Sequence, residues 1–171
     1  MDSYMEYMVK KKHTFMDTLV KIIAIFIDGL FWAAGFLFLG TGILSTALLM
    51  IGLLGAFAIY YVVNPSTDVE YEYLYVDKTI SIDKIMGKEK RKHLNDYTVD
   101  KMLLLCPEDS YKADEYKNQN YKEINYSSNQ ESDDYKRYTL YYEGNQKILL
   151  DLPVNFVKMV QNNAPRKVYF D

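Results

Sequence analysis

The chain has 171 residues, of which 49% are hydrophobic and 25% charged, and its net charge is −3. That balance excludes a general nucleic-acid binder, which would carry a strongly basic surface. A lone cysteine, Cys106, excludes both an internal disulfide and a cysteine-based metal cluster. The residues imply no metal and no cofactor.

Residues 1–21 read as a cytoplasmic amphipathic and basic segment. Met1, Tyr4, Met5 and Met8 fall at helical spacing ahead of Lys10, Lys11 and Lys12. Such a segment either lies on the inner leaflet as a short helix or frays. Thr14 with Asp17 three residues on forms a capping-box pattern, which predicts a helix starting near Phe15. Asp17 and Lys21 then pair four residues apart in the favoured order.

Residues 22–63 dominate the chain: from Ile22 to Val63 the only charged side chain is Asp28. A bilayer crossing takes about 20 apolar helical residues, so this run predicts two. Gly40-Thr41-Gly42 supplies the break, giving transmembrane helices at about 22–39 and 43–63 in a tight antiparallel hairpin. In lipid each backbone must bond within its own segment, which makes both spans helical. Lysines precede the first span and none stands in the turn. Both termini are therefore expected on the cytoplasmic side of the inner (plasma) membrane, as a multi-pass protein. A cleaved signal peptide fits less well, because the run is too long and a second span follows at once.

Asp28 is the exception within this run. Charges in spans are costly and mark either function or packing. The expectation is a neutral or hydrated carboxyl near the cytoplasmic end, packed inside a homo-oligomer. Ion or proton transfer and contact with a partner helix are the alternatives. Gly29 with Ala33, and Gly52 with Ala56, have the spacing that lets helix backbones approach closely. Tyr60 and Tyr61 fit an interfacial belt.

Pro65 is expected to end the second helix. The period then changes to two. Val69, Tyr71, Tyr73 and Tyr75 alternate with Glu70, Glu72, Leu74 and Val76, and Ile80 and Ile82 continue a second strand after Asp77-Lys78. A third strand is predicted near Glu89–Asn95. Met102–Cys106 reads as a short buried strand or a helical turn. Residues 107–134 show no apolar periodicity and read as a mobile loop, with Tyr111, Tyr116, Tyr121 and Tyr126 recurring every five residues. Tyr138–Tyr142 and Lys147–Leu152 form a hairpin around Gly144. Pro153 opens a helix bearing Val154, Val157 and Val160, and Lys167–Phe170 reads as an edge strand.

The richest charge cluster is Lys88, Lys90, Arg91, Lys92 and His93. On a tethered cytoplasmic domain it is the expected contact for anionic headgroups or a partner, at about 1 kcal/mol per basic residue near the surface. A solvated strand face is the bland alternative. No nucleotide-binding loop, zinc-protease or serine-hydrolase motif is present, and the expectation is that the chain is not an enzyme.

Tyr4 to Lys12, the two-span hairpin, Glu70-Tyr71-Glu72-Tyr73, Ile82-Asp83-Lys84-Ile85 and Lys90-Arg91-Lys92 together resemble a family of small two-span membrane proteins from low-GC Gram-positive bacteria. Residues 64–171 resemble bacterial pleckstrin-homology-like (PH-like) domains, small bent sheets capped by a C-terminal helix. The resemblance implies an α+β membrane protein: a transmembrane helical hairpin followed by a small antiparallel PH-like β domain. It implies a binding or scaffolding module and carries over no catalytic residues. The expected function is engagement of a protein partner or anionic lipid at the inner leaflet. The alternative is an accessory subunit of a transporter or channel, acting through the hairpin and Asp28.

Overall fold

The computed structural model describes residues 4–117 and 119–170, and the chain divides into two compact units. One contains the residues up to Lys12 together with Glu70–Ile85 and Arg91 onward; the other contains His13–Val69 with Met86–Lys90.

The first unit is built on two four-stranded sheets. Strands β1 (Met5–Lys10), β2 (Val69–Val76), β3 (Thr79–Met86) and β4 (Lys90–Thr98) lie in sequence order in one sheet. In β2 the alternation places Tyr71, Tyr73 and Tyr75 in the core, and β3 adds Ile80 and Ile82. Asp77 and Lys78 link β2 to β3 with φ of 47° and 62°. Paired left-handed residues match the twist of a hairpin, at a steric cost for non-glycine residues. The second sheet has the order β5-β7-β8-β6, from Met102–Pro107, Lys136–Tyr142, Gln146–Leu152 and Lys122–Asn125. Its β6 runs parallel to β8. Pro153 caps the C-terminal helix Val154–Asn163, which buries Phe156, Val157 and Val160. Phe156 packs 6.0 Å from the Tyr75 ring, and Asn163 Nδ2 donates to the Tyr75 hydroxyl at 2.8 Å.

Three expectations about this unit need correction. Residues 5–10 are a strand, neither an amphipathic helix nor a frayed end. Met5, Tyr7 and Val9 alternate inward, and Val9 is 3% exposed. The period of two outweighs the helical spacing of Tyr4, Met5 and Met8; Met1 of that pattern lies outside the described residues. The domain is thus discontinuous: β1 pairs with β2 from Met5↔Tyr75 to Lys10↔Glu70, and everything between is an insertion at one hairpin. Finally, residues 107–134 are not a structureless loop. They hold a 3-10 turn (Tyr111–Ala113), a helical turn (Asp114–Lys117) and β6. The five-residue tyrosine spacing marks anchors. Tyr116 stacks on Tyr141 at 4.8 Å, Tyr121 meets the same ring edge-on at 5.1 Å, and Tyr126 meets Tyr71 at 5.7 Å. Tyr111 is the outlier, 63% exposed. The expected edge strand at 167–170 is a parallel bridge from Val168 to Leu105.

The second unit is an antiparallel helical pair. Helix α1 (Phe15–Leu37) begins at the expected box, with the Thr14 N–H donating to Asp17 Oδ2 at 2.8 Å. Helix α2 (Ile43–Ala58) follows a turn in which Gly40 and Gly42 take φ of 106° and 67°. The helices meet at three glycines. A Cβ on Gly35 would lie 2.6 Å from Leu49 Cδ2, one on Gly52 3.0 Å from Trp32 Nε1, and one on Gly55 would collide with Asp28 Oδ1. Gly29 has open space beside it, so the Gly29/Ala33 pair does not serve this contact.

Pro65 does not end the second helix. The chain widens into a π-helical turn at Ile59–Val63 and continues to Thr67. Proline has no N–H for the carbonyl four residues back, which is that of Tyr61. Lys90 Nζ donates to that oxygen at 3.1 Å.

Candidate functional site

The richest polar constellation outside the apolar helices is spread over the four strands of the first sheet. Glu72 sits in the middle of it on β2 and is 4% exposed. Arg91 on β4 pairs with Glu72 through Nη2 and reaches Asp83 on β3 at 3.5 Å through Nε. His93 Nδ1 lies 2.8 Å from the same Asp83 carboxylate, and His93 Nε2 lies 3.3 Å from Asp96. Ser81 donates to the other Asp96 oxygen at 2.6 Å, and the Tyr4 hydroxyl donates to Glu6 at 2.6 Å.

Protonation within the group follows from these contacts. Burial, and then the hydrogen bond with Glu6, raise the Glu72 carboxyl above the usual glutamate range, outweighing the Arg91 guanidinium. The hydrogen bond from Tyr4, followed by that with Glu72, lowers Glu6. The hydrogen bond they share thus shifts the two glutamates in opposite directions, Glu72 upward and Glu6 downward. His93 is raised, first by its hydrogen bond to Asp83 and then by the charge of Asp96, against some desolvation. The imidazolium form is favoured, with both ring nitrogens directed at carboxylates.

The expected site residues are thus distributed. Arg91 and His93 are compensated by Glu72, Asp83 and Asp96. Lys90 is held by the Tyr61 carbonyl. Lys88, at φ 65° in the turn after Gly87, and Lys92 on β4 are exposed and make no ion pair among the described residues. Sequence reading located the basic run but missed Glu72, whose buried position on the outward register of β2 had no local signal. Asp83 and Asp96 stand close in sequence, and their spacing on neighbouring strands could have suggested the pairing.

A second constellation holds the start of the helical insertion. Asp151 on β8 is fully buried and accepts from Arg137 Nε at 3.1 Å, the Ser128 N–H at 2.7 Å and the Ser128 hydroxyl at 2.5 Å. The Ser128 carbonyl accepts from the Lys12 N–H at 2.7 Å. Beside Arg137 lies an open groove of about 530 Å³, lined among others by Glu108, Asp109, Glu131, Tyr135 and Lys136. Its mixed charges and its commitment of Arg137 to Asp151 give it no convergent catalytic geometry.

The protein thus combines two sheets, a C-terminal helix and a first strand separated from its partner by the helical insertion. The family model described as bacterial PH-like domain (DUF6106) matches residues 1–170. The chain belongs to that family. No curated protein and no solved structure matches it. The match spans the apolar helices as well as the sheets, so the inserted helical pair lies within the family's own domain.

Proposed function

We propose that the protein is a membrane-anchored PH-like binding module that engages a protein partner at the inner leaflet of the cell membrane. The carrying observation is the pairing of Lys10 with Glu70. Directly opposed residues on neighbouring antiparallel strands have Cα atoms about 4.5–5.5 Å apart. The insertion therefore leaves and rejoins one sheet at one point, and any crossing of a bilayer must be followed by a return. Both candidate spans are long and apolar enough for that, at Phe15–Leu37 and Ile43–Thr67. Large apolar side chains on their outer faces are exposed: Phe26 is 66%, Leu37 80% and Ile43 88% exposed. Lipid would cover them. Lys10, Lys11, Lys12 and Lys21 favour a cytoplasmic position for both flanks.

A protein partner is favoured over anionic lipid by the charge pattern. Lys88, Lys90 and Lys92 of the basic run have no carboxylate partner among the described residues, which offers about 3 kcal/mol toward an anionic surface. The acids around Arg91 and His93 oppose it. The partner would be read by the alternating charges of Asp83, Arg91, His93 and Asp96, with Glu72 buried beneath Arg91.

Whole-cell cysteine labelling tests the topology. With a membrane-impermeant maleimide, Thr41→Cys is expected to react in intact cells and Lys92→Cys only after lysis. Reaction of Lys92→Cys in intact cells would overturn the cytoplasmic placement. Hydrogen exchange of the reconstituted protein tests the partner class. Protection of Lys90–Thr98 is expected to be the same in neutral and anionic bilayers; a rise in anionic bilayers would favour the lipid reading.

A further inference from the structure

Helices α1 and α2 enclose a cleft of about 220 Å³, lined by Ala24, Ile27, Phe31, Ile51, Ala58 and Val63 among others. Its lining is apolar except for Asp28. Asp28 Oδ1 is buried against Gly55 and has no hydrogen-bond partner among the described residues. The cleft opens sideways, because Ile27 and Ile51 on its rim remain 49% and 46% exposed. Its far wall includes Ile59 and Val63, the two ends of the π-helical turn, a feature often found at functional sites.

A carboxyl oxygen in apolar surroundings without a donor is destabilising. The chain itself has poor means to relieve this. Between Ile22 and Val63 there is no Lys, Arg or His. Lys21 lies two helical turns away, about 10 Å along the axis, and Lys90 is engaged at the Tyr61 carbonyl. A second copy would bring the same basic-free spans and another Asp28. The complementary charge must therefore come from a different chain.

We propose that this cleft docks the transmembrane helix of another membrane protein, through a Lys or Arg side chain that reaches Asp28 at its depth. The inference rests on the membrane reading above. It goes further by naming the chemistry of the partner. Long basic side chains suit the role, since their apolar stems cross hydrocarbon while the head seeks a carboxylate. Gly55 is what permits it, by leaving room for Asp28 to lie along α2.

The test uses the full-length protein reconstituted in vesicles with a leucine-rich transmembrane peptide bearing one lysine at the depth of Asp28. Companion peptides carry leucine or aspartate there. Flotation first shows whether the protein enters the bilayer; failure to float overturns the membrane reading and the docking together. With the protein inserted, energy transfer should report about three- to tenfold tighter association of the lysine peptide than of the leucine peptide. Asp28→Leu should abolish that preference and Asp28→Asn, which keeps the shape, should reduce it. Equal association of the three peptides, or a preference that survives Asp28→Leu, would overturn the docking and leave the anchoring intact. So would loss of self-association in Asp28→Leu, which would make the cleft an interface between copies.

Discussion

Arg137→Leu isolates the buried carboxylate that holds the first strand's exit. Asp151 is fully buried, whereas the Arg137 side chain is 29% exposed. At 3.1 Å and an effective dielectric of 20, the gross attraction is about 5 kcal/mol. Desolvation cancels much of it, so the pair's net value is small, but removing the cation leaves Asp151 buried with only Ser128 as donor. The Ser128 N–H and hydroxyl at 2.7 and 2.5 Å keep part of the charge satisfied. A loss of about 2–3 kcal/mol is expected, at the low end for a broken buried pair. Asp151→Asn should cost about 1–2 kcal/mol, because Arg137 can turn to water. The double variant Arg137→Leu/Asp151→Asn should be less destabilised than the two losses added. The assay is denaturant unfolding of the detergent-solubilised protein, followed by near-ultraviolet circular dichroism of its tyrosines. Strict additivity, or an Arg137→Leu loss under about 0.5 kcal/mol, would show that Ser128 alone satisfies Asp151 and refute the reasoning.

The glutamate pair gives a pH-dependent outcome. Glu72 is raised in the folded protein, so its contribution to stability is present below the ordinary glutamate value of 4.5 and is lost as pH rises through the raised value. Glu72→Gln should therefore be more stable than the parent at neutral pH, with the gain vanishing on acidification; a loss at neutral pH would mean the Arg91 pair dominates. His93 should titrate above 6.5 by NMR and move down in Asp83→Asn, since that carboxylate is the main cause of its shift. Tyr121→Ala should cost about 1–2 kcal/mol and increase hydrogen exchange across Lys122–Asn125, whereas Tyr111→Ala should stay within about 0.5 kcal/mol. Gly35→Ala should lower the thermal stability of the detergent-solubilised protein, because Leu49 stands 2.6 Å from the new methyl, while Gly29→Ala should leave it unchanged. Replacing residues 13–68 by a short Gly/Ser linker should give a folded, soluble sheet unit, read by amide dispersion; the same unit without residues 1–12 should not fold.

What the sequence revealed depended on whether the signal was local. The apolar helices, the Thr14–Asp17 cap and the Asp77-Lys78 hairpin rest on contacts within a few residues, and the structure places them as the pattern predicts, except that the second helix runs past Pro65 to Thr67. β1 was misread because residues 4–8 fit both a helical spacing and a period of two, and only its partner β2, some sixty residues away, decides between them. The tyrosines at 116, 121 and 126 looked like low complexity because their spacing matches no element. Tyr116 and Tyr121 converge on the Tyr141 ring of one sheet and Tyr126 meets Tyr71 of the other, so no local period describes them. The basic run was legible as charge, but its compensation by Glu72 depends on which strands lie side by side. Charge counted along the chain overstates the positive field when acids from neighbouring strands are interleaved with it.

The discontinuity of the PH-like domain bears on how it is made and used. β1 emerges first in synthesis, yet its partner β2 follows the whole helical insertion. Until β1 pairs, one edge of β2 stays open and Val9, 3% exposed in the finished fold, has no core to enter. If the insertion crosses the bilayer, the sheet can close only after both helices are in place and have returned the chain to the same side. Closure of Lys10 against Glu70 then reports complete insertion. A separate domain on a flexible linker would fold whether or not its anchor had inserted. On the proposed reading, the charged face of β2–β4 would be completed by the same pairing that closes the helical insertion, so a half-inserted chain would not present it.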